Sequence, residues 1–440
     1  MRTIAAISTP PGRGGIGIVR MSGDESLEIV KKIFTKKNLT PRFMHYGKIV
    51  HEGRTIDEVL VCFFKAPQSY TCEDMVEIYC HGGYTSCMFI LEILQELGAQ
   101  LAGPGEFTKR AFLNGRIDLL EAEAVEGIIN SETKEEQLLY TDVLGGKLTQ
   151  KLDEVLQKLV YLISECEAKI DYPELGDVDD MKDKIAEIKD DLNSFIEDEK
   201  RTAYIREGLS LAIIGRPNVG KSSLLNALSN KNRAIVTDIE GTTRDMIEEV
   251  INYEGLNIKL IDTAGIRKTD EIIEQEGIRL SKEAAEKSNF VIVMIDGSKP
   301  LKSEDYEILE FIAEKEKIIL VNKSDIGIVV DTKELEKFGD VAFCSVKNDE
   351  GVREVMATIK DKIVSEVDFD ATSIFNLRQR ALINSAIGEL KQALIDVDVM
   401  PFEIVEVDLR EAQEYISMIL GVNASEDIID QVFKDFCVGK

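Results

Sequence analysis

The stretch from Leu209 to Leu228, LSLAIIGRPNVGKSSLLNAL, leaves a chain little freedom in what it folds into. Leu209 to Ile214 is apolar and β-prone, as a buried strand requires, and Ser223 to Leu228 continues with helical character. Between them, Gly215-Arg-Pro-Asn-Val-Gly220-Lys221-Ser222 matches the phosphate-binding loop pattern. Its glycines let backbone N–H groups turn inward toward phosphate oxygens. Lys221 is expected to reach β- and γ-phosphates, and the Ser222 hydroxyl to hold Mg²⁺. A glycine turn that binds nothing is the plainer alternative, and the flanking strand and helix weigh against it.

Three downstream pieces extend the pattern. Ile258 to Ile261 ends in Asp262-Thr263-Ala264-Gly265, where a carboxylate at a strand end suits Mg²⁺ and a glycine amide suits the γ-phosphate. Lys317 to Val321 ends in Asn322-Lys323-Ser324-Asp325, and the Asp325 carboxylate can accept a pair of N–H bonds that guanine offers and adenine does not. Val341 to Cys344 leads into Ser345-Val346-Lys347, placed to support the guanine carbonyl through a backbone amide. Their order and spacing resemble the small-GTPase superfamily, which implies a GTP site.

The 440 residues suggest two to four domains, and a hydrophobic content of 44% is ample for buried cores. The apolar run near Met1 is too short for a signal peptide, and no later run has the length to span a bilayer, so a cytoplasmic protein with no membrane partner is expected. Seven scattered cysteines without a CxxC pair indicate neither a disulfide framework nor a zinc site. A formal net charge of −28 disfavours broad, non-specific nucleic-acid binding.

Residues 1 to about 118 read as a mixed α+β domain. Strands are expected at Ile4–Ile7, Ile16–Arg20, Gly47–Val50, Val59–Phe64 and Val76–Tyr79, and helices at Glu25–Phe34 and Thr85–Leu97. The turn Pro10 to Gly15 has no GK[ST] ending, so it is a glycine turn rather than a second phosphate loop. His81, before two glycines, reads as a structural hydrogen-bonder. Helical stripes follow over Leu119–Ile129, Val143–Ile170 and Ile185–Phe195, with a proline- and glycine-broken acidic loop at Asp171–Asp180. After Ser373 the helical pattern returns: Leu377–Ile395, Leu409–Leu420 and Ser425–Phe436, with Ser425 as N-cap. Helical segments on both sides of the phosphate-loop segment are expected to pack together, making the latter an insertion.

Further stretches carry a second resemblance. GRGGIGIVRMSG (12–23), APQSYTCEDMVEIYCHGG (66–83), PGEFTKRAFLNGRIDLLEAEAV (104–125), GRPNVGKSSLLNAL (215–228) and the terminal FCVGK resemble the tRNA-modification GTPase MnmE (TrmE) family along the whole chain. The resemblance implies a multidomain α/β architecture. An α+β N-terminal folate-binding and dimerisation domain (1–118) precedes an all-α helical domain (119–208 and 372–440), which holds an inserted Ras-like P-loop GTPase domain (209–371). It implies a GTP-hydrolysing subunit that acts on tRNA. With a flavin-dependent partner, MnmG, a homodimer would modify C5 of the wobble uridine at position 34. The resemblance implies that an aminomethyl or carboxymethylaminomethyl group would be added there, with a 5-formyltetrahydrofolate-type one-carbon donor. By position, Arg20, Glu77, Arg116 and Lys440 match the family's folate contacts, and the CxGK ending gives Cys437 a catalytic reading. Arg116 stands where relatives commonly carry lysine, and Cys72 where they carry glycine. The competing readings are a regulatory GTPase of ribosome assembly, against which the acidic chain and the folate-type motifs argue, and a folate-dependent transferase that the GTPase merely regulates.

The position after the DxxG motif, where small GTPases often carry a water-orienting glutamine, is Ile266 here. The family match supplies a substitute: K⁺ on Asn218, Thr237, Ile239 and Thr242, Mg²⁺ on Ser222 and Thr243, and Glu274 to position water. The nucleotide set it implies runs over Asn218, Val219, Gly220, Lys221, Ser222 and Ser223, then Thr237, Asp238, Ile239, Glu240, Gly241, Thr242 and Thr243. It continues through Asp262, Thr263, Ala264 and Gly265, and ends at Asn322, Lys323, Ser324 and Asp325 with Ser345, Val346 and Lys347.

Overall fold

The computed structural model describes residues 2–172, 180–231, 248–253, 256–261, 282–366, 376–434 and 436–439. The chain divides into two compact units, one of residues 1–129, 140–192 and 376–440, the other of 130–139 and 193–375.

The first unit begins with β1 (Ile4–Ile7), β2 (Ile16–Ser22), α1 (Ser26–Ile33), β3 (Met44–His51), β4 (Arg54–Phe64), β5 (Met75–His81), α2 (Tyr84–Glu96), β6 (Gln100–Leu101) and α3 (Glu106–Leu113). The strands form one sheet in the order β3-β4-β5-β2-β1-β6. It is antiparallel except where β6 joins β1 in parallel. Alternation along β2 buries Gly17, Val19 and Met21 on the face that α1 and α2 cover, where Ile29, Val30, Ile90 and Leu94 complete the core. The same alternation turns Ile18 and Arg20 to the other face. Gly17 is required by the close approach of α2, since a Cβ there would lie 2.3 Å from Cys87 Sγ.

The expected stripe over Val143–Ile170 is two helices. α4 (Leu119–Asn130) is followed by α5 (Lys134–Leu144) and α6 (Lys147–Asp171), and Gly145-Gly146 breaks the run, Gly146 standing in the left-handed region at φ 81°. α7 runs from Met181 to Glu207. Helices Leu377–Asp396 and Phe402–Leu420 pack beside each other, and the latter packs on α6. Helical segments before and after the phosphate-loop segment therefore share one core, and the segment between them is an insertion. The last helix covers Glu426–Lys434; Ser425 precedes it and its hydroxyl accepts the Ile428 N–H at 3.4 Å.

The second unit holds β7 (Leu209–Ile214), α8 (Lys221–Lys231), β8 (Glu248–Tyr253), β9 (Leu256–Ile261), β10 (Phe290–Asp296), β11 (Lys317–Asn322) and β12 (Val341–Phe343). The sheet order is β12-β11-β10-β7-β9-β8, parallel except for the β8–β9 hairpin. β10, passed over in the sequence, is its most buried strand, with all seven residues inside. β7 lies between β9 and β10, so the loop that follows it opens at the carboxyl edge of the sheet, where parallel α/β sheets bind ligands.

Candidate functional site

In the second unit the turn from β7 into α8 is held from three directions. Gly215 lies so close to β10 that a Cβ would be 2.4 Å from the Met294 carbonyl oxygen, and at Gly220 one would be 2.3 Å from Asn322 Nδ2. Only glycine allows these approaches. Asn322 Nδ2 donates to the Val219 carbonyl at 2.8 Å, while its Oδ1 accepts the Val346 N–H at 3.1 Å, tying the loop to the ends of β11 and β12. Arg216 Nε donates to Asp305 Oδ1 at 2.7 Å, and Asp305, fully buried, also caps the helix Ser303–Phe311.

Lys221 heads α8 with its ammonium turned onto the loop itself, donating to the carbonyls of Gly215 at 2.6 Å and Arg216 at 2.8 Å. Burial lowers its pKa to about 8. A half-buried cation resting on neutral carbonyls is a site with unmet demand for an anion. The chemistry of the set fits a polyphosphate: a lysine, a helix N-terminus and a glycine-lined loop on one edge.

At the same edge, Lys323 sits in the left-handed region (φ 67°) and its Nζ reaches the Asn218 carbonyl at 3.0 Å and Asp296 Oδ2 at 2.7 Å. Asp296 is buried, which works to raise its pKa. Its bonds from Lys323 and Ser298 outweigh burial and hold the carboxyl below the usual range. Asp325 accepts the Ser345 hydroxyl at 2.8 Å, which fixes one oxygen of the carboxylate expected to read the base. Asn218, Val219, Gly220, Lys221, Ser222, Asn322, Lys323, Asp325, Ser345 and Val346 thus share one edge of this sheet. Ser223, Ser324 and Lys347 lie beside them in sequence. Thr237, Asp238, Ile239, Glu240, Gly241, Thr242, Thr243, Asp262, Thr263, Ala264, Gly265 and Glu274 lie outside the described residues. Sequence reasoning missed Asp296, Asp305 and Arg216 as supports of the loop. The signal for Asp296 was a lone acid closing an apolar run.

A second constellation lies in the first unit. Arg20 and Glu77 face each other in the β2–β5 register, and Arg20 Nε and Nη2 both reach Glu77 Oε1, at 2.9 and 2.8 Å. Tyr79 donates its hydroxyl to Glu77 Oε2 at 2.5 Å; burial, then Glu77, pushes the phenol up. Tyr70 lies beneath two guanidiniums, those of Arg116 at 4.7 Å and Arg20 at 5.6 Å from the ring centroid. Behind them, Arg110 is buried between Glu73 and Glu106, both at 2.8 Å.

The C-terminal tail joins this group. Phe433 packs on Phe112 of α3, Val438 bridges to Pro104, and the Gly439 carbonyl accepts from Ser8 Oγ at 2.9 Å and Arg20 Nη1 at 3.4 Å. Cys437 is exposed, and Cys72 is half-buried with a left-handed backbone (φ 58°), a conformation that glycine adopts more readily than cysteine. Lys440 lies outside the described residues. His81, exposed, pairs with Asp57 at 2.6 Å, as a structural role requires. The other five cysteines are buried.

Residues 3–116 match the family model described as the GTP-binding protein TrmE N-terminus, and 119–437 the model of the MnmE helical domain. The chain is 42% identical to the tRNA modification GTPase MnmE of Acetivibrio thermocellus, with all of this chain and 99% of the relative covered. The protein of that name from Clostridioides difficile is 40% identical over all of this chain and 99% of its own length, and that from Streptococcus pneumoniae 42% over all of this chain and 98%. Two family models and full-length relatives agree, and the chain, which carries a phosphate loop at the edge of its second sheet, belongs to the tRNA modification GTPase MnmE family.

Proposed function

We propose that this chain binds and hydrolyses GTP as a subunit of an enzyme that modifies C5 of the wobble uridine of tRNA. The observation that carries the reading is the Lys221 ammonium, half-buried on the carbonyls of a glycine-lined loop whose neighbours at the sheet edge include the Asn322–Asp325 base-reading set. On binding, the γ-phosphate would take Lys221 from its own loop, and Asp325, held by Ser345, would accept the guanine N–H pair. Mg²⁺ would be held by Ser222 and Thr243 and would neutralise phosphate charge. K⁺ would be held by Asn218, Thr237, Ile239 and Thr242 and would offset charge developing on the leaving side. Glu274 would orient water. The Asn218 side chain, on a left-handed residue whose carbonyl Lys323 fixes, is suited to a ligand role.

The Arg20–Glu77–Arg116 group with the tail is read as the site of a 5-formyltetrahydrofolate-type donor. Cationic Arg20 and Arg116 over Tyr70 suit a carboxylate-bearing, aromatic ligand, with Lys440 as a further contact and Cys437 as the residue beside the reaction. We take the N-terminal domain as 1–118, the helical domain as 119–208 with 372–440, and the GTPase domain as 209–371. The working form is a cytoplasmic homodimer in complex with MnmG.

The test is mass-spectrometric nucleoside analysis of bulk tRNA from cells with and without this chain. The modified wobble uridine is expected to disappear without it and to return with wild type but not with Lys221→Ala. An unchanged profile would overturn the reading.

A further inference from the structure

In a chain with 81 acidic residues against 53 lysines and arginines, residues 29–51 hold no aspartate or glutamate. They hold Lys31, Lys32, Lys36, Lys37, Arg42 and Lys48, more than any other acid-free stretch of the sequence. The stretch runs from α1 into β3, an edge strand of the first sheet. Past α1, Phe34 bridges to Ile49, the Thr35 N–H donates to the Lys48 carbonyl at 3.0 Å, and Thr35 Oγ1 accepts the Lys48 N–H at 3.0 Å. β4 occupies the other side of β3, so the chain leading to Lys36 and Lys37 lies along its outer side.

Two of these cations are answered by carboxylates, Lys31 by Glu28 at 2.7 Å and Lys48 by Glu58 at 2.9 Å. Lys37 is spent on carbonyls at the end of α1, that of Phe34 at 2.9 Å. Lys32 and Lys36, and Lys65 just past β4, are exposed and pair with no carboxylate among the described residues. Exposed Arg42 reaches the neutral Gln68, donating to its carbonyl at 3.4 Å and to its side-chain oxygen. The turn before β3 is held in place. The Thr40 N–H donates to His45 Nε2 at 2.8 Å, the Arg42 N–H donates to the Phe63 carbonyl at 2.7 Å, and Arg42 stands in the left-handed region at φ 60°. Phe43 meets His45 edge-on at 5.0 Å and is 60% exposed. A fixed aromatic ring beside unanswered cations suits single-stranded RNA, with phosphates on the cations and a base on the ring.

The same edge adjoins the donor site proposed above. Met44, Cys62, Glu77 and Arg20 stand in one row of the register across β3, β4, β5 and β2, so their side chains share a face of the sheet. Three strand spacings, about 14 Å, separate Arg20 from Met44. Gln68, which Arg42 holds, lies two residues before Tyr70, the ring beneath Arg20 and Arg116.

We propose that this edge is the surface on which the chain takes its tRNA substrate. Lys32, Lys36, Lys65 and Arg42 meet backbone phosphates, Phe43 stacks on an unpaired base, and the base to be modified is delivered across the sheet face toward Arg20. The net charge of −28 disfavours RNA over the chain at large, so contact depends on a local patch. The inference rests on the proposed function for its substrate, a tRNA.

Binding of an unmodified transcript of a tRNA with a wobble uridine is measured against salt for the full chain, beside GTP hydrolysis and melting. Lys32→Ala combined with Lys36→Ala is expected to weaken binding about tenfold or more and to lower the salt slope by about one for each lysine. Phe43→Ala is expected to weaken it about tenfold with the slope unchanged, as loss of a stacked base does. Hydrolysis and melting stay at wild-type values in both, because all three side chains are exposed. Equal binding by wild type and both variants, absence of binding by all three included, overturns the proposal, as does an unchanged salt slope in the lysine variant. Loss of binding to phosphatidylglycerol vesicles by a lysine variant that still holds tRNA as wild type does would assign the edge to a membrane and overturn it likewise. The functional reading fails separately, by an unchanged nucleoside profile in cells without the chain, whatever the patch variants bind.

Discussion

The two candidate sites handle positive charge in opposite ways. In the first unit the Arg20 guanidinium is already answered by Glu77, which is itself held by Tyr79. A ligand there competes with a formed ion pair, so recognition proceeds by exchange of partners. In the second unit the half-buried Lys221 ammonium rests, among the described residues, on carbonyls alone, and its pKa is depressed. There a phosphate supplies what the fold withholds. A paired cation favours selectivity; an unanswered one favours affinity, at the cost of keeping a charge poorly solvated until the ligand comes.

The sharpest way to break this contrast is Lys221→Ala, which is expected to weaken GTP binding by about 10²- to 10³-fold, the scale of removing one charged donor from a phosphate, with melting unchanged or raised. Fluorescent-nucleotide titration checks it. Arg20→Ala should behave differently, because it strands a buried carboxylate. We expect a stability loss of about 3 kcal/mol along with lost 5-formyltetrahydrofolate binding, read by denaturant unfolding and calorimetry. A stable Arg20→Ala protein would erase the distinction between the sites.

The pH dependence sharpens it further. The free Lys221 pKa is about 8 and bound phosphate raises it, so binding takes up a proton above pH 8. Nucleotide affinity should be flat below pH 8 and fall by up to about tenfold per unit above it, whereas Lys221→Arg should remove the slope. The smallest effect concerns the supports: Asp296→Asn, which weakens the hold on Lys323, should lower GTP affinity by about fivefold without changing the preference for Mg²⁺, measured by the same titration.

The phosphate loop was legible because its chemistry is local. Strand, glycines, lysine and helix follow one another within twenty residues, and β7 has the expected bounds, Leu209–Ile214. The N-terminal strands were legible for a similar reason, since alternation marks them, although β3 and β4 extend beyond the expected ranges. β10 was not, although Phe290–Ile295 is continuously apolar: a strand buried on both faces has no alternation, and no nucleotide motif follows it to mark it as the phosphate loop marks β7 and Asn322–Asp325 mark β11. Asp296 depends on a lysine 27 residues later, and the Gly439 carbonyl on an arginine 419 residues earlier. Such pairs exist only after the sheets form. The break at Gly145-Gly146 was in plain view, but the hydrophobic stripe continues across it in near register and hides it.

The distribution of the cysteines has a practical consequence. Burial pushes Cys80 and Cys344 up to about 12 and Cys166 to about 11, so at neutral pH their thiolates are too scarce to react. Cys437 is exposed, two residues from the carbonyl that Arg20 binds. A maleimide dye added to the native protein would attach there first, with half-buried Cys72 slower. The chain thus carries its own attachment point for a fluorescent reporter, placed where a ligand at Arg20 would alter its emission.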